Sequence, residues 1–322
     1  IMRTLTRGLK GGPGRRALII AGGAAGVAAA FNTPIAGVVF AVEDLAKSFE
    51  RRTHTTAILV VVVAGFASYA LQGDYAYFGV LQSDSGRTLG SAWLAAPVIG
   101  LVGGFAGSLF SRGLAEIIGP GDRPLGRWRR ARPIAFAAAC GFVAALVAWI
   151  SGGLTFGAGY AEAKSLLQDH PGRGFGFAAA KFVASLAAAV SGVPGGIFAP
   201  SLATGAGIGA GFANLGLPVA GRDAVVLGMA GYLSGVVQAP LTSAVILMEM
   251  TRDPGLVGPL MLAALLARWS SSLLMPEPIY HVLSASWRLQ ADSAQGKAGP
   301  AGAAATSSET PPPAPEADRP ET

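Results

Sequence analysis

AAGVAAAFNTPIAGVVFAVEDL, residues 24–45, decides the fold because the chain carries it twice: residues 230–251 read AGYLSGVVQAPLTSAVILMEMT. Setting Pro34 on Pro240 also sets Ala24 on Ala230, Val39 on Val245 and Glu43 on Glu249. In each copy a run of small residues leads to a proline, and an apolar helical stretch then ends in an acid. Proline lacks an N–H and clashes with the preceding turn, so neither copy can be one smooth helix. Asn32-Thr33-Pro34 and Gln238-Ala239-Pro240 are predicted to close one short helix and open the next, with proline in the first turn of the second. Repeated, proline-broken apolar segments are the sequence sign of a transporter built from structural halves. Whether the halves are inverted is not legible in the letters.

Working outward, the rest of the composition places the chain in a bilayer. Of its 322 residues 52% are hydrophobic and 13% charged, with a mean hydropathy of +0.50. A soluble domain of that size carries about a quarter charged residues. The 46 glycines suit close helix packing in lipid. Apolar segments are predicted at about 17–46, 55–72, 92–111, 133–151, 174–191, 195–216, 223–250 and 255–275. The net charge of +6 does not point to nucleic acid, because the positives cluster between apolar runs. Arg3, Arg7, Lys10, Arg15 and Arg16 precede the first run, Lys47, Arg51 and Arg52 follow it, and six arginines from Arg112 to Arg132 separate two later ones. That is the positive-inside pattern, and it leaves the loop 73–91, with Asp74 and Asp84 against Arg87, outside. Residues 291–322 are rich in Ala, Pro, Ser and Glu, cannot bury a core, and are expected to form a disordered cytoplasmic tail.

Catalytic chemistry finds little support. Cys140 is the single cysteine and lies in an apolar run, so neither a disulfide framework nor a thiolate metal site is expected. His54, His170 and His281 are scattered without ligand spacing, and are read as surface or packing residues. No H-E-x-x-H or G-x-S-x-G occurs, which argues against a membrane hydrolase. No metal and no cofactor are expected.

One stretch could hold an ion. SGVPGGIFAPSLATG, residues 191–205, combines Gly192, Gly195 and Gly196 with Pro200 at a helix start. A helix start presents unpaired N–H groups and the positive end of the macrodipole, an anion-binding arrangement. None of these fifteen residues is a lysine or arginine. Backbone dipoles hold an anion and still release it, whereas a full buried charge tends to trap it. A glycine-hinged helix pair that binds nothing reads equally well from the residues alone.

GGIFAP at 195–200 resembles the anion-filter motif of the CLC family of voltage-gated chloride channels and H+/Cl− exchange transporters. AAGVAAAFNTPIAGVVFAVED at 24–44, APLTSAVILMEMT at 239–251 and the tyrosine of PEPIYHVL are similar to further hallmarks, in the same order. The resemblance runs over residues 1–290. It implies an all-α integral membrane protein, a bundle of tilted, broken and re-entrant helices, working as a homodimer; the short tail and the Ala/Gly/Arg-rich composition suggest the bacterial plasma membrane. It further implies chloride as cargo, with Gly195, Gly196, Ile197, Phe198, Ala199 and Pro200 forming the filter and Tyr280 adding its hydroxyl. Proton-coupled members carry an acid at the position of Asp44, where this chain has aspartate in place of glutamate. Asp44 and its neighbour Glu43 are thereby expected on a proton pathway, which favours an exchanger; a passive channel or a variant for another halide are the alternatives. Read without the family, Glu43 and Asp44 are a helix-end pair meeting cytoplasmic water and Arg51 or Arg52, and Tyr280 is an interfacial belt residue. Glu249 is read as structural. The family's serine filter motif and gating-glutamate motif do not occur in the 322 residues. Pro200 precedes Pro240 by 40 residues, so the repeat sets the first filter copy about six residues ahead of residue 1. The chain alone is accordingly expected not to transport, a membrane piece that packs but moves nothing.

Overall fold

A computed structural model describes residues 15–45, 51–73, 75–80, 88–119, 123–168 and 174–283. The proposed tail at 291–322, His170 and the basic residues Arg3, Arg7 and Lys10 lie outside them. Among the described residues the secondary structure is helical, with no strand. The first copy of the repeat forms α1 (Arg15–Phe31) and α2 (Pro34–Phe40), and α2 runs on into a π-helical turn, Ala41–Leu45. Next come α3 (Arg51–Gln72), α4 (Thr88–Ile118), α5 (Pro124–Ala131), α6 (Pro133–Ile150), α7 (Tyr160–Leu167), α8 (Gly174–Val190) and α9 (Phe198–Asn214). The second copy is α10 (Gly221–Val237) and α11 (Pro240–Thr251), followed by α12 (Val257–Leu274).

Both predicted breaks are present, and they are built alike. Asn32 (φ 54°) and Gln238 (φ 58°) take the left-handed conformation that ends the preceding helix, two residues before the proline. Each hinge amide is also anchored: Asn32 Nδ2 donates to Tyr75 O at 2.7 Å, and Gln238 Nε2 donates to Met275 O at 2.6 Å. The apolar run expected at 223–250 is therefore two helices. The short α5 and α7 had no counterpart among the expected segments, because one is arginine-rich and both are only about two turns long.

Among the described residues three helical stretches are long and apolar enough to cross a bilayer: Gly90–Ile118, Pro133–Ile150 and Pro254–Leu274. Shorter apolar stretches are Leu18–Phe31, Ala57–Gln72, Gly174–Val190 and Pro240–Thr251, of which the first and last belong to the broken copies of the repeat. The best-buried helices meet through small residues. In PVIGLVGGFAGSLF, residues 97–110, two interleaved G-x-x-x-G pairs lie on α4. Gly100 and Gly104 abut Ala263 and Ala267 of α12, while Gly103 and Gly107 abut Gly231, Tyr232 and Gly235 of α10. A methyl group at Gly107 would stand 2.7 Å from the backbone of Gly235, so only glycine permits this approach. Hydroxyls bridge the same seams: Ser111 donates to Val236 O, Ser234 to Ala264 O and Ser271 to Gly235 O, at 2.7–2.9 Å. Between helices in lipid such bonds add roughly 0.6–2 kcal/mol apiece.

Candidate functional site

The two copies of the repeat are joined by their acids. Glu43, at the end of the first copy, accepts from Leu241 N at 3.0 Å and Thr242 N at 2.7 Å, and from Thr242 Oγ1 at 2.8 Å. Glu249, at the end of the second, accepts from Ile35 N at 3.0 Å and Ala36 N at 2.6 Å. Leu241 and Thr242 are the repeat counterparts of Ile35 and Ala36, so one bond pattern occurs twice. Each acid at the end of one proline-started helix caps the start of the other. Such a reciprocal arrangement requires α2 and α11 to run antiparallel about a local two-fold. The proline-started helices of the two copies are thus inverted relative to each other. Carboxylates on helix N-termini are favourable both as acceptors and against the macrodipole.

Glu43 is thus committed to the start of α11, while the side chains of Arg51 and Arg52, the partners of its plain reading, lie outside the described residues. It is half-buried and carries three bonds. Asp44 is buried on the π turn. Its carboxylate acts electrostatically on the Tyr280 hydroxyl, which brings two site residues 236 positions apart into one neighbourhood. Nothing in the local sequence announced the π turn, and such turns inside α-helices frequently mark functional sites.

The filter stretch opens α9. Its N-cap is Ile197, and no side chain caps it. The first helical bond is Ser201 N–H to Ile197 O at 3.1 Å, with Pro200, which has no N–H, as the third helical residue. The N–H groups of Ile197, Phe198 and Ala199 thus precede the hydrogen-bond ladder, which is what binding an anion at a helix start requires. Gly195 and Gly196 are exposed, and with Ile197 and Pro200 they line a cavity of about 660 Å³ whose wall also holds Leu283 and Lys181. Leu283 lies one helical turn beyond Tyr280. The turn at 279–283 accordingly touches the filter cavity through Leu283 and the neighbourhood of Asp44 through Tyr280.

The Phe198 ring ties the filter to the first copy. It meets Phe40 edge-on at 5.4 Å between centroids and Phe31 at 6.4 Å. Phe31 in turn meets Tyr77, which meets Tyr160, at 5.4 and 4.9 Å. Phe31 ends α1 at the proline break, and Phe40 ends α2 where the π turn begins. Sequence reasoning passed over this chain of rings, and over Lys181, although a lone lysine in the apolar run GFGFAAAKFVASLAAAV was a usable signal.

Broken, proline-started repeats around an uncapped, glycine-led helix start define an all-helical membrane protein built of interrupted helices. Residues 1–272 match the family model "Voltage gated chloride channel", and the chain belongs to that family. Among solved structures it is similar to a slow cyanobacterial Cl−/H+ antiporter, with TM-score 0.69, 26% identity, and coverage of 86% of this chain and 66% of that one. A CLC-type fluoride/proton antiporter gives TM-score 0.70 at 22% identity, covering 83% and 65%. A eukaryotic CLC transporter gives TM-score 0.60 at 22% identity, covering 84% and 46%. The chain spans less than two thirds of the length of these relatives.

Proposed function

We propose that this chain forms the anion-holding part of a chloride/proton exchanger, with the anion received by the N–H groups of Ile197 and Phe198 and by the Tyr280 hydroxyl. The observation that carries the reading is the uncapped start of α9, set on a cavity whose wall includes Leu283, one turn beyond Tyr280. Helix N–H groups and a phenol that stays protonated at neutral pH are donors without a fixed charge, suited to an anion that must leave again. Asp44 is the proton-bearing group. Glu43, committed to the start of α11, serves that pathway by holding the π turn in place. The arginine-rich segment that includes α5 lies on the cytoplasmic side and the 73–87 loop outside, by the positive-inside pattern. The molecule works as a homodimer in a bacterial plasma membrane.

Two measurements test this. In liposomes loaded with chloride, an outward chloride gradient should drive protons inward; chloride movement without proton movement establishes the channel reading instead. Asp44→Asn should abolish proton movement while chloride still flows. The exposed Gly195 and Gly196 favour one further reading, that the 322 residues by themselves move no anion. Chloride efflux through the 322 residues by themselves would overturn it.

A further inference from the structure

Lys181 is the charged side chain that the filter reading leaves unused. It sits midway along α8, only 1% exposed, among residues that face apolar surroundings. Its Nζ donates to Thr155 O at 3.0 Å and to Gly157 O at 2.7 Å. The chain is wound around it by four left-handed glycines, Gly152, Gly153, Gly157 and Gly159, with φ of 70°, 88°, 59° and 83°. A methyl group at Gly159 would stand 2.9 Å from Lys181 Cε, so the loop is fitted to this side chain. Carbonyl oxygens satisfy two N–H groups of the ammonium but do not neutralise it. Glu162 acts on it electrostatically and makes no salt bridge with it among the described residues. A buried charge without a counter-ion is costly, which favours an anion nearby.

A second, independent observation points the same way. Thr155 is 5% exposed, and its Oγ1 is buried without a hydrogen-bond partner among the described residues. Buried hydroxyls are nearly always paired, so this one is poised for a group absent from the chain itself. Thr155, Gly157 and Lys181 line the same cavity as Gly195, Gly196 and Ile197.

We propose that Lys181 and Thr155 form a second site for a small monovalent anion, in the wall of the cavity onto which the filter opens. The ammonium supplies the charge that the filter lacks, and the hydroxyl supplies a directed donor. An anion held there lies next to the backbone site and feeds it. The proposal rests on the anion-transport reading for its purpose, but the site can be tested apart from transport.

The test uses bromide as the probe, in crystals of the protein measured at the bromine absorption edge, with Lys181→Met, Lys181→Arg and Thr155→Val beside the parent. The parent should show bromine within about 3.5 Å of Nζ and Oγ1. Lys181→Arg should keep that peak and Lys181→Met should lose it, while any peak at the start of α9 persists. In chloride flux, Lys181→Met should raise the half-saturating chloride concentration about tenfold, with the maximal rate within about twofold. Absence of bromine at Lys181 in the parent, or an unchanged half-saturation in Lys181→Met, overturns the proposal. Should Lys181→Met fail to fold, Thr155→Val, which keeps the shape, carries both readouts, with an expected rise of about threefold. A parent that binds bromide at Lys181 yet moves no chloride overturns the transport reading and leaves the site standing.

Discussion

The two copies of the repeat share a bond pattern and differ in what surrounds it. In the second copy α10 is buried along nearly its whole length and α11 is a regular helix to Thr251. In the first copy α1 leaves Ile19 66% exposed where its counterpart Val225 is buried, and α2 gives way to a π turn. Asp44 lies on that turn, whereas its counterpart Met250 is fully buried in the core. Each copy keeps its bracketing glutamate, and they differ one residue further on, where the first has the carboxylate of Asp44 and the second the side chain of Met250. The group proposed above to bear the proton thus lies in the irregular copy, where a wider helical turn re-aims side chains.

Breaking the brackets should have the largest effect on stability. Glu43→Ala leaves two helix-start N–H groups and a hydroxyl without their acceptor, and Glu249→Ala leaves two N–H groups. Each should cost about 2–3 kcal/mol, Glu43→Ala the more, and the double variant more than about 4 kcal/mol. Unfolding in mixed detergent micelles reads these values. Equal losses for the two single variants would weaken the asymmetry. Next comes Gly104→Ala, which forces a methyl into Ala267 and Ser270 and should cost about 1–3 kcal/mol. Gly26→Ala in the first copy meets nothing within 4 Å and should be neutral or stabilising by up to about 1 kcal/mol. Thr242→Val removes one of the three bonds to Glu43 and should cost about 1 kcal/mol in the same unfolding assay. Asp44→Asn should change stability least, by under about 1 kcal/mol, while ending proton coupling in the liposome assay. Met250→Asp, which buries a carboxylate in the second copy's core, should instead destabilise strongly and confer no coupling.

How much of this was legible follows from how local each signal is. Asn32-Thr33-Pro34 and Gln238-Ala239-Pro240 announce their breaks because proline and a left-handed amide act within a few residues. The start of α9 was legible in GGIFAP for the same reason. What Glu43 touches was not, since its partners lie 198 and 199 positions away and any solvated helix end would carry the same acid. The inversion of the proline-started helices became visible only through those partners. Lys181 shows an intermediate case: the sequence marks it as an unusual cation in an apolar run, but the Gly152–Gly159 winding that receives it is a matter of backbone geometry.

The reciprocal caps also set an order of assembly. Ile35 and Ala36 receive their acceptor from Glu249, 214 and 213 positions downstream, which a ribosome delivers roughly 10–40 s later at 5–20 residues per second. During that interval the start of α2 has bare N–H groups and Glu43 has no helix to cap. Neither condition is tolerable against hydrocarbon, so the first copy must wait beside water, the insertion machinery or a chaperone until α11 arrives. The two brackets then close together, and the membrane-embedded form is completed in a single late step.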